Sequence, residues 1–130
     1  MIVDDDPDDA FVFREVLSSI APQIHCLVAN NFETARTMIE EADEAPAIIF
    51  LDAYMYPVGG KECLLKLNDI PRLIDSRIII HSGALSPAQI AEFKFLGADD
   101  VIMKAGSYES LSRRLQDILA DHLPATKRMD

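Results

Sequence analysis

Positive charge is scarce in this chain: 12 lysines and arginines stand against 22 aspartates and glutamates, a formal net charge of −10 over 130 residues. So acidic a surface repels a phosphate backbone, which makes the chain by itself a poor candidate for binding DNA or RNA. A nucleic-acid-binding partner or output domain is not excluded by that argument. Cysteine is also sparse. Cys26 and Cys63 lie far apart with no metal-ligand spacing, and both fall among apolar residues, so they are expected to be core thiols in a reducing cytosol. No apolar run approaches the ~20 residues that span a bilayer. No basic start leads into an apolar stretch, so no secretion signal is visible. Internal repeats and low-complexity segments are missing too. These absences predict a cytoplasmic chain. What is present is a 49% apolar composition, enough to build the core of one compact domain.

Short apolar runs alternate with stretches of helical period. Met1-Ile2-Val3 stops at Asp4-Asp5-Asp6; three residues make a meagre strand, and further residues are expected ahead of Met1 in the intact protein. Asp6 is a natural cap for a helix with Pro7 at its first position, where a missing N–H costs nothing. Phe13, Val16, Leu17 and Ile20 form its apolar stripe, and Pro22 ends it. A second strand is predicted over Ile24 to Val28, then a helix capped by Asn31 with Ala35, Met38, Ile39 and Ala42 inward. Ala47-Ile48-Ile49-Phe50-Leu51 is apolar without alternation, as a strand covered on both faces reads, and it ends at Asp52. Gly59-Gly60 leads into a helix carrying Cys63, Leu64 and Leu67, and Arg77 to His81 forms a fourth strand ending at Ser82-Gly83. Ser86-Pro87-Ala88-Gln89 is a capping box opening a helix with Ile90, Phe93 and Leu96, stopped by Gly97. Val101 to Met103 is a fifth strand ending at Lys104, and Ser107 opens a last helix with Leu111, Leu115, Ile118 and Leu119 on one face. The folded unit is expected over residues 1–123, with 124–130 a polar tail or linker stub. Strands alternating with helices predict an α/β fold: a doubly wound, five-stranded parallel sheet of order 2-1-3-4-5 with five helices.

The polar residues fall where such a sheet binds ligands. Asp4 and Asp5 end the first strand, Asp52 the third, Ser82 the fourth and Lys104 the fifth. In a parallel sheet these ends share one edge, so residues a hundred positions apart meet in one crevice. Taken singly, an acid there often just caps a helix, a serine forms a turn and a lysine faces solvent. Asp6, Asp8 and Asp9 are read in that plain way. Together the others gather three carboxylates, one hydroxyl and one ammonium. Three carboxylates repel one another, so a raised pKa or a cation must relieve them, and a hard divalent ion with oxygen ligands is the natural answer. Mg2+ suits a site that also takes phosphate. Lys104 would neutralise phosphoryl oxygens, Ser82 would donate a hydrogen bond to one of them, and a carboxylate beside the metal is a competent nucleophile towards phosphorus.

Val3-Asp4-Asp5-Asp6-Pro7, Leu51-Asp52 to Gly60, His81-Ser82-Gly83 and Gly97 to Lys104 together resemble the four signatures of response-regulator receivers, over nearly the whole chain. The resemblance implies the flavodoxin-like receiver fold. It also implies that Asp52 accepts a phosphoryl group from a histidine kinase or phosphotransfer protein and so switches binding of a downstream protein or output domain. Direct Mg2+ ligation by Asp5 and Asp52, ligation through water by Asp4, and a further ligand from the Tyr54 backbone carbonyl are implied as well. Ser82 takes the place of the family's switch hydroxyl and Lys104 that of its phosphate-contacting lysine. A homodimer is left open; direct nucleic-acid binding and membrane attachment are not expected.

Some positions depart from the pattern. Ala105 stands where the family usually has a proline after the lysine, Tyr56 where it has a proline four residues after the phosphoacceptor, and Val101 where it often has a switching aromatic. The surface of the fourth helix, fifth strand and fifth helix is expected to signal, with a response weakened by Val101. Tyr54 and Ala84 flank the crevice in the family, and neither supplies a carboxylate or amide to orient a water, so a long-lived phosphate is expected. A haloacid-dehalogenase-like phosphatase would need a second aspartate where Tyr54 stands. A flavodoxin-like cofactor carrier would need a Ser/Thr/Gly-rich loop in place of Asp-Asp-Asp. The remaining rival is a receiver-like interaction module that works without phosphorylation. His25, His81 and His122 have no partner at metal spacing and are read as structural or surface residues.

Overall fold

The computed structural model describes residues 1–103 and 106–123. In chain order the elements are β1 (Ile2–Val3), α1 (Pro7–Ile20), β2 (Val28–Ala29), α2 (Phe32–Glu41), β3 (Ile48–Asp52), α3 (Gly60–Asn68), a single 3-10 turn (Pro71–Leu73), β4 (Arg77–Ser82), α4 (Pro87–Phe95), β5 (Asp100–Met103) and α5 (Tyr108–His122). The five strands form one parallel sheet in the order β2-β1-β3-β4-β5. That is the order read from the sequence pattern.

Period-2 alternation divides the core into two layers. Ile49 and Leu51 of β3, with Ile78 and Ile80 of β4, face α2, α3 and α4 through Ile39, Leu64, Leu67 and Phe93. Ile48, Phe50 and Ile79 face α1 and α5 through Phe13, Val16, Leu115 and Ile118. Both faces of the central strands are therefore covered, which is why β3 has no polar residue before Asp52.

The helix starts carry the caps that their sequences advertise. Asp6 accepts the N–H groups of Asp8 and Asp9, Asn31 accepts that of Thr34, and Ser107 that of Ser110. Ser86 and Gln89 complete a reciprocal capping box. After α4 the chain reverses at Gly97, whose φ of 110° lies in the left-handed region where an L side chain is strained.

Three expectations need correction. The second strand is not Ile24 to Val28 but Val28–Ala29, because a parallel ladder extends only as far as its partner, and β1 offers Ile2 and Val3 alone. Residues 23–27 instead border an apolar recess at the amino end of the sheet, and Cys26 there is half-buried rather than a core thiol. The inward stripes of α1 and α2 also fray at their ends: Ile20 and Met38 are half-buried, and Ala42 lies just past the last turn of α2. Cys63 is fully buried, and burial pushes its thiol up to about 12.

Arg72 supplies a tie that no sequence signal announced. The last turn of α2 has no basic residue, and the Arg72 guanidinium donates to the carbonyls of Ile39, Glu40 and Asp43 instead. Arg72→Met keeps the stem but leaves these carbonyls without that donor. A loss of about 1–3 kcal/mol in unfolding free energy is expected, measured by urea denaturation.

Candidate functional site

Strand pairing decides which side chains can meet. Val3 lies opposite Leu51, and Asp52 opposite His81, so the carboxyl ends of β1, β3 and β4 are adjacent. Asp4 and Asp5 follow β1, Asp52 closes β3 and Ser82 closes β4. One carboxylate oxygen from each of Asp4, Asp5 and Asp52 lies within 4.8 Å of the other two. Burial is uneven: Asp4 is 1% and Asp52 8% accessible, whereas Asp5 is exposed.

Backbone N–H groups hold the three acids in place. Asp4 Oδ1 accepts from Asp6 N–H at 2.9 Å, Asp5 Oδ2 from Tyr56 N–H at 3.1 Å, and Asp52 Oδ1 from Tyr54 N–H at 3.4 Å. The loop after β3 is thereby stitched both to Asp52 and to the loop after β1. Its beginning is pinned further, since Ala53 N–H donates to the His81 carbonyl at 3.0 Å and Gly60 N–H to the Ala53 carbonyl at 3.2 Å. The same loop contains a cis Tyr56–Pro57 bond.

Ser82 is 1% accessible, and its hydroxyl exchanges hydrogen bonds with the backbone of Ala84, both at 3.3 Å. Tyr54 stands on the loop after β3 and is 58% exposed. Lys104 and Ala105 lie outside the described residues. Val101 is buried among the apolar side chains on the α2–α3–α4 face of the sheet.

The histidines separate clearly. His25 is exposed and outside β2, and His122 Nε2 lies 3.1 Å from Asp100 Oδ2 near the end of α5. His81 is fully buried against the Phe13 ring at 4.9 Å, yet its Nε2 lies 3.9 Å from Asp4 Oδ2. That approach to the acidic cluster was invisible in the sequence, because it depends on which face of β4 the imidazole takes and on how α1 packs there.

Two buried carboxylates and a third beside them carry like charges at short range, and burial makes that arrangement expensive without a positive partner. An all-oxygen donor set with one exposed member fits a small hard divalent cation that keeps several waters. The chain matches the response regulator receiver domain over residues 1–116. It belongs to that family.

Among curated proteins, this receiver is 26% identical over 116 residues to the probable C4-dicarboxylate response regulator DctR of Bacillus subtilis. The match covers 89% of this chain and 50% of DctR, so the receiver spans about half the length of that relative. Its fold is shared with the phosphorylated cyanobacterial phytochrome response regulator RcpA, at a TM-score of 0.81 and 18% identity, covering 96% of this chain and 92% of that one. The chemotaxis protein CheY4 of Vibrio cholerae gives a TM-score of 0.77 at 21% identity, covering 91% and 95% of the two chains. Among the described residues, no helix of the receiver is long and apolar enough to cross a membrane.

Proposed function

We propose that this receiver is the phosphoacceptor of a cytoplasmic two-component phosphorelay, with Asp52 taking the phosphoryl group from a histidine kinase or phosphotransfer protein. The observation that carries the reading is the meeting of Asp4, Asp5 and Asp52 within 4.8 Å at the end of a fully buried strand. An Asp52 carboxylate oxygen attacks phosphorus, the bond from phosphorus to the donor nitrogen breaks, and an acyl phosphate forms. Asp5 and Asp52 would hold Mg2+ directly, Asp4 through water, with the Tyr54 carbonyl as a further ligand. When bound, the ion neutralises charge on the carboxylates and the transferring group. The Ser82 hydroxyl, now engaged with Ala84, would turn to a phosphoryl oxygen, and Lys104 would contact another. The chain thus catalyses its own phosphorylation and dephosphorylation rather than turning over a substrate, and the outcome is altered binding of a downstream protein or output domain. Residues 124–130 would serve as a tail or linker.

Incubation of the full chain with acetyl phosphate and Mg2+, read by intact mass, tests this. One added phosphoryl group is expected. No addition would favour the rival interaction module, which the burial of Val101 in place of a mobile aromatic suits best.

Metal binding gives a second expected outcome. Each of Asp4 and Asp5 accepts one backbone N–H, but Asp5 is exposed at the crevice whereas Asp4 is buried. Asp5→Ala should therefore weaken Mg2+ binding more than Asp4→Ala. Mg2+ titration followed by amide chemical shifts checks the ranking, and the reverse order would contradict the ligand assignment.

A further inference from the structure

The side-chain amide of Gln89 donates to the Tyr54 hydroxyl at 3.1 Å, joining the loop after β3 to the first turn of α4. The oxygen of the same amide accepts the Ser86 N–H at 2.8 Å, and Gln89 N–H returns a bond to Ser86 Oγ at 3.2 Å. Gln89 is thus fixed at one end by the helix cap and holds a phenol with the other. One turn along, on the same face of α4, Glu92 pairs with Lys61 of α3 at 2.8 Å. Two links therefore tie α4 to the β3–α3 segment, and the first of them uses a ring that burial alone does not immobilise. The two ends of that link stand on the segments that follow Asp52 and Ser82, the loop after β3 and the first turn of α4.

We propose that Gln89 is a positioning residue for the phosphorylation site: it holds Tyr54 as a strap between the loop after β3 and the first turn of α4, and so slows loss of the Asp52 phosphoryl group. Loss occurs when water attacks phosphorus and the bond to the Asp52 acyl oxygen breaks, releasing inorganic phosphate and the free carboxylate. A strapped ring narrows the approach of that water. It also makes any displacement of the α4 cap felt at the crevice. The inference rests on Asp52 being the phosphoacceptor.

The test follows phosphoryl decay by intact mass in the full chain, loaded with acetyl phosphate and Mg2+ and then freed of donor. Tyr54→Phe keeps the ring and removes its hydroxyl, while Gln89→Ala removes the amide. Each should speed decay by about two- to tenfold, the range that one hydrogen bond of this kind can contribute. The double variant should decay no faster than either single one, because both break the same link. Gln89→Glu should restore slow decay, since a carboxylate can accept both the Ser86 N–H and the Tyr54 O–H. Before phosphorylation, Tyr54→Phe should already shift the amide resonances of Ser86 and Gln89 without lowering the thermal midpoint. Normal phosphate incorporation with unchanged decay in Tyr54→Phe, or with additive effects in the double variant, overturns the strap and leaves the phosphoacceptor reading standing. A wild-type chain that takes up no phosphate overturns that reading, and the strap's role in phosphoryl lifetime falls with it.

Discussion

Asp52→Asn is expected to reduce phosphoryl incorporation from acetyl phosphate from one group per chain to none, with the fold intact. Asparagine matches aspartate in shape, and its Oδ1 can still accept the Tyr54 N–H that now reaches Asp52 at 3.4 Å. What it lacks is the anionic oxygen proposed to attack phosphorus. The neighbouring acids cannot substitute. Asp4 is 1% accessible, and Asp5 sits on the loop after β1, held by Tyr56 N–H. Removing one of three like charges crowded within 4.8 Å also relieves repulsion, so the thermal midpoint without Mg2+ should stay level or rise. Mg2+ affinity should fall at the same time, because one anionic ligand becomes a neutral carbonyl. Intact mass and a melting curve measured on the same sample check both halves. Incorporation equal to wild type would remove Asp52 from its role.

Much of this molecule could be read before its structure, for identifiable reasons. A strand sealed on both faces must be apolar at every position, so Ile48 to Leu51 announced the sheet centre and made the charge at Asp52 conspicuous. Caps are local, satisfied within three residues, so Asp6, Asn31, Ser86 and Ser107 marked helix starts without knowledge of anything distant. The convergence of Asp4, Asp5 and Asp52 followed from parallel topology alone. Other features did not follow. The extent of β2 depends on how much of β1 is there to pair with it. The Arg72 tie to α2 crosses more than twenty-five residues and uses backbone acceptors, which leave no trace in side-chain identity. The Gln89–Tyr54 link depends on the distance between two loops, and Gln89 was legible only as half of a capping box. Lys104, the fifth member of the expected crevice, lies outside the described residues, so its place there rests on its position after β5 in the sequence.

Gly60→Ala is expected to destabilise the chain and to impair phosphorylation together, although Gly60 touches neither metal nor phosphate. Gly60 opens α3, and a Cβ built on it would lie 2.4 Å from the Ala53 carbonyl oxygen and 2.8 Å from the carbon bearing it. Those are backbone atoms of the residue directly after Asp52. They have little room to withdraw, because Ala53 is buried and its N–H is committed to the His81 carbonyl at 3.0 Å. Alanine would gain at most about 1 kcal/mol over glycine from helix propensity. Against that, forcing one extra carbon into a packed backbone contact typically costs about 1–3 kcal/mol. The contact should therefore win, either pushing α3 away from β3 or turning the Ala53 peptide and with it the segment running to Tyr54. Gly59 provides the control within the same loop. It precedes the helix at a φ of −69°, and a Cβ there would meet nothing within 4 Å. Gly59→Ala should match wild type in urea midpoint and in the rate of phosphate uptake. Gly60→Ala should lose stability and take up phosphate more slowly, in proportion to how far the Asp52–Tyr54 segment moves. Two variants that behave alike would mean that α3 does not press on the end of β3 as the close approach at Gly60 requires.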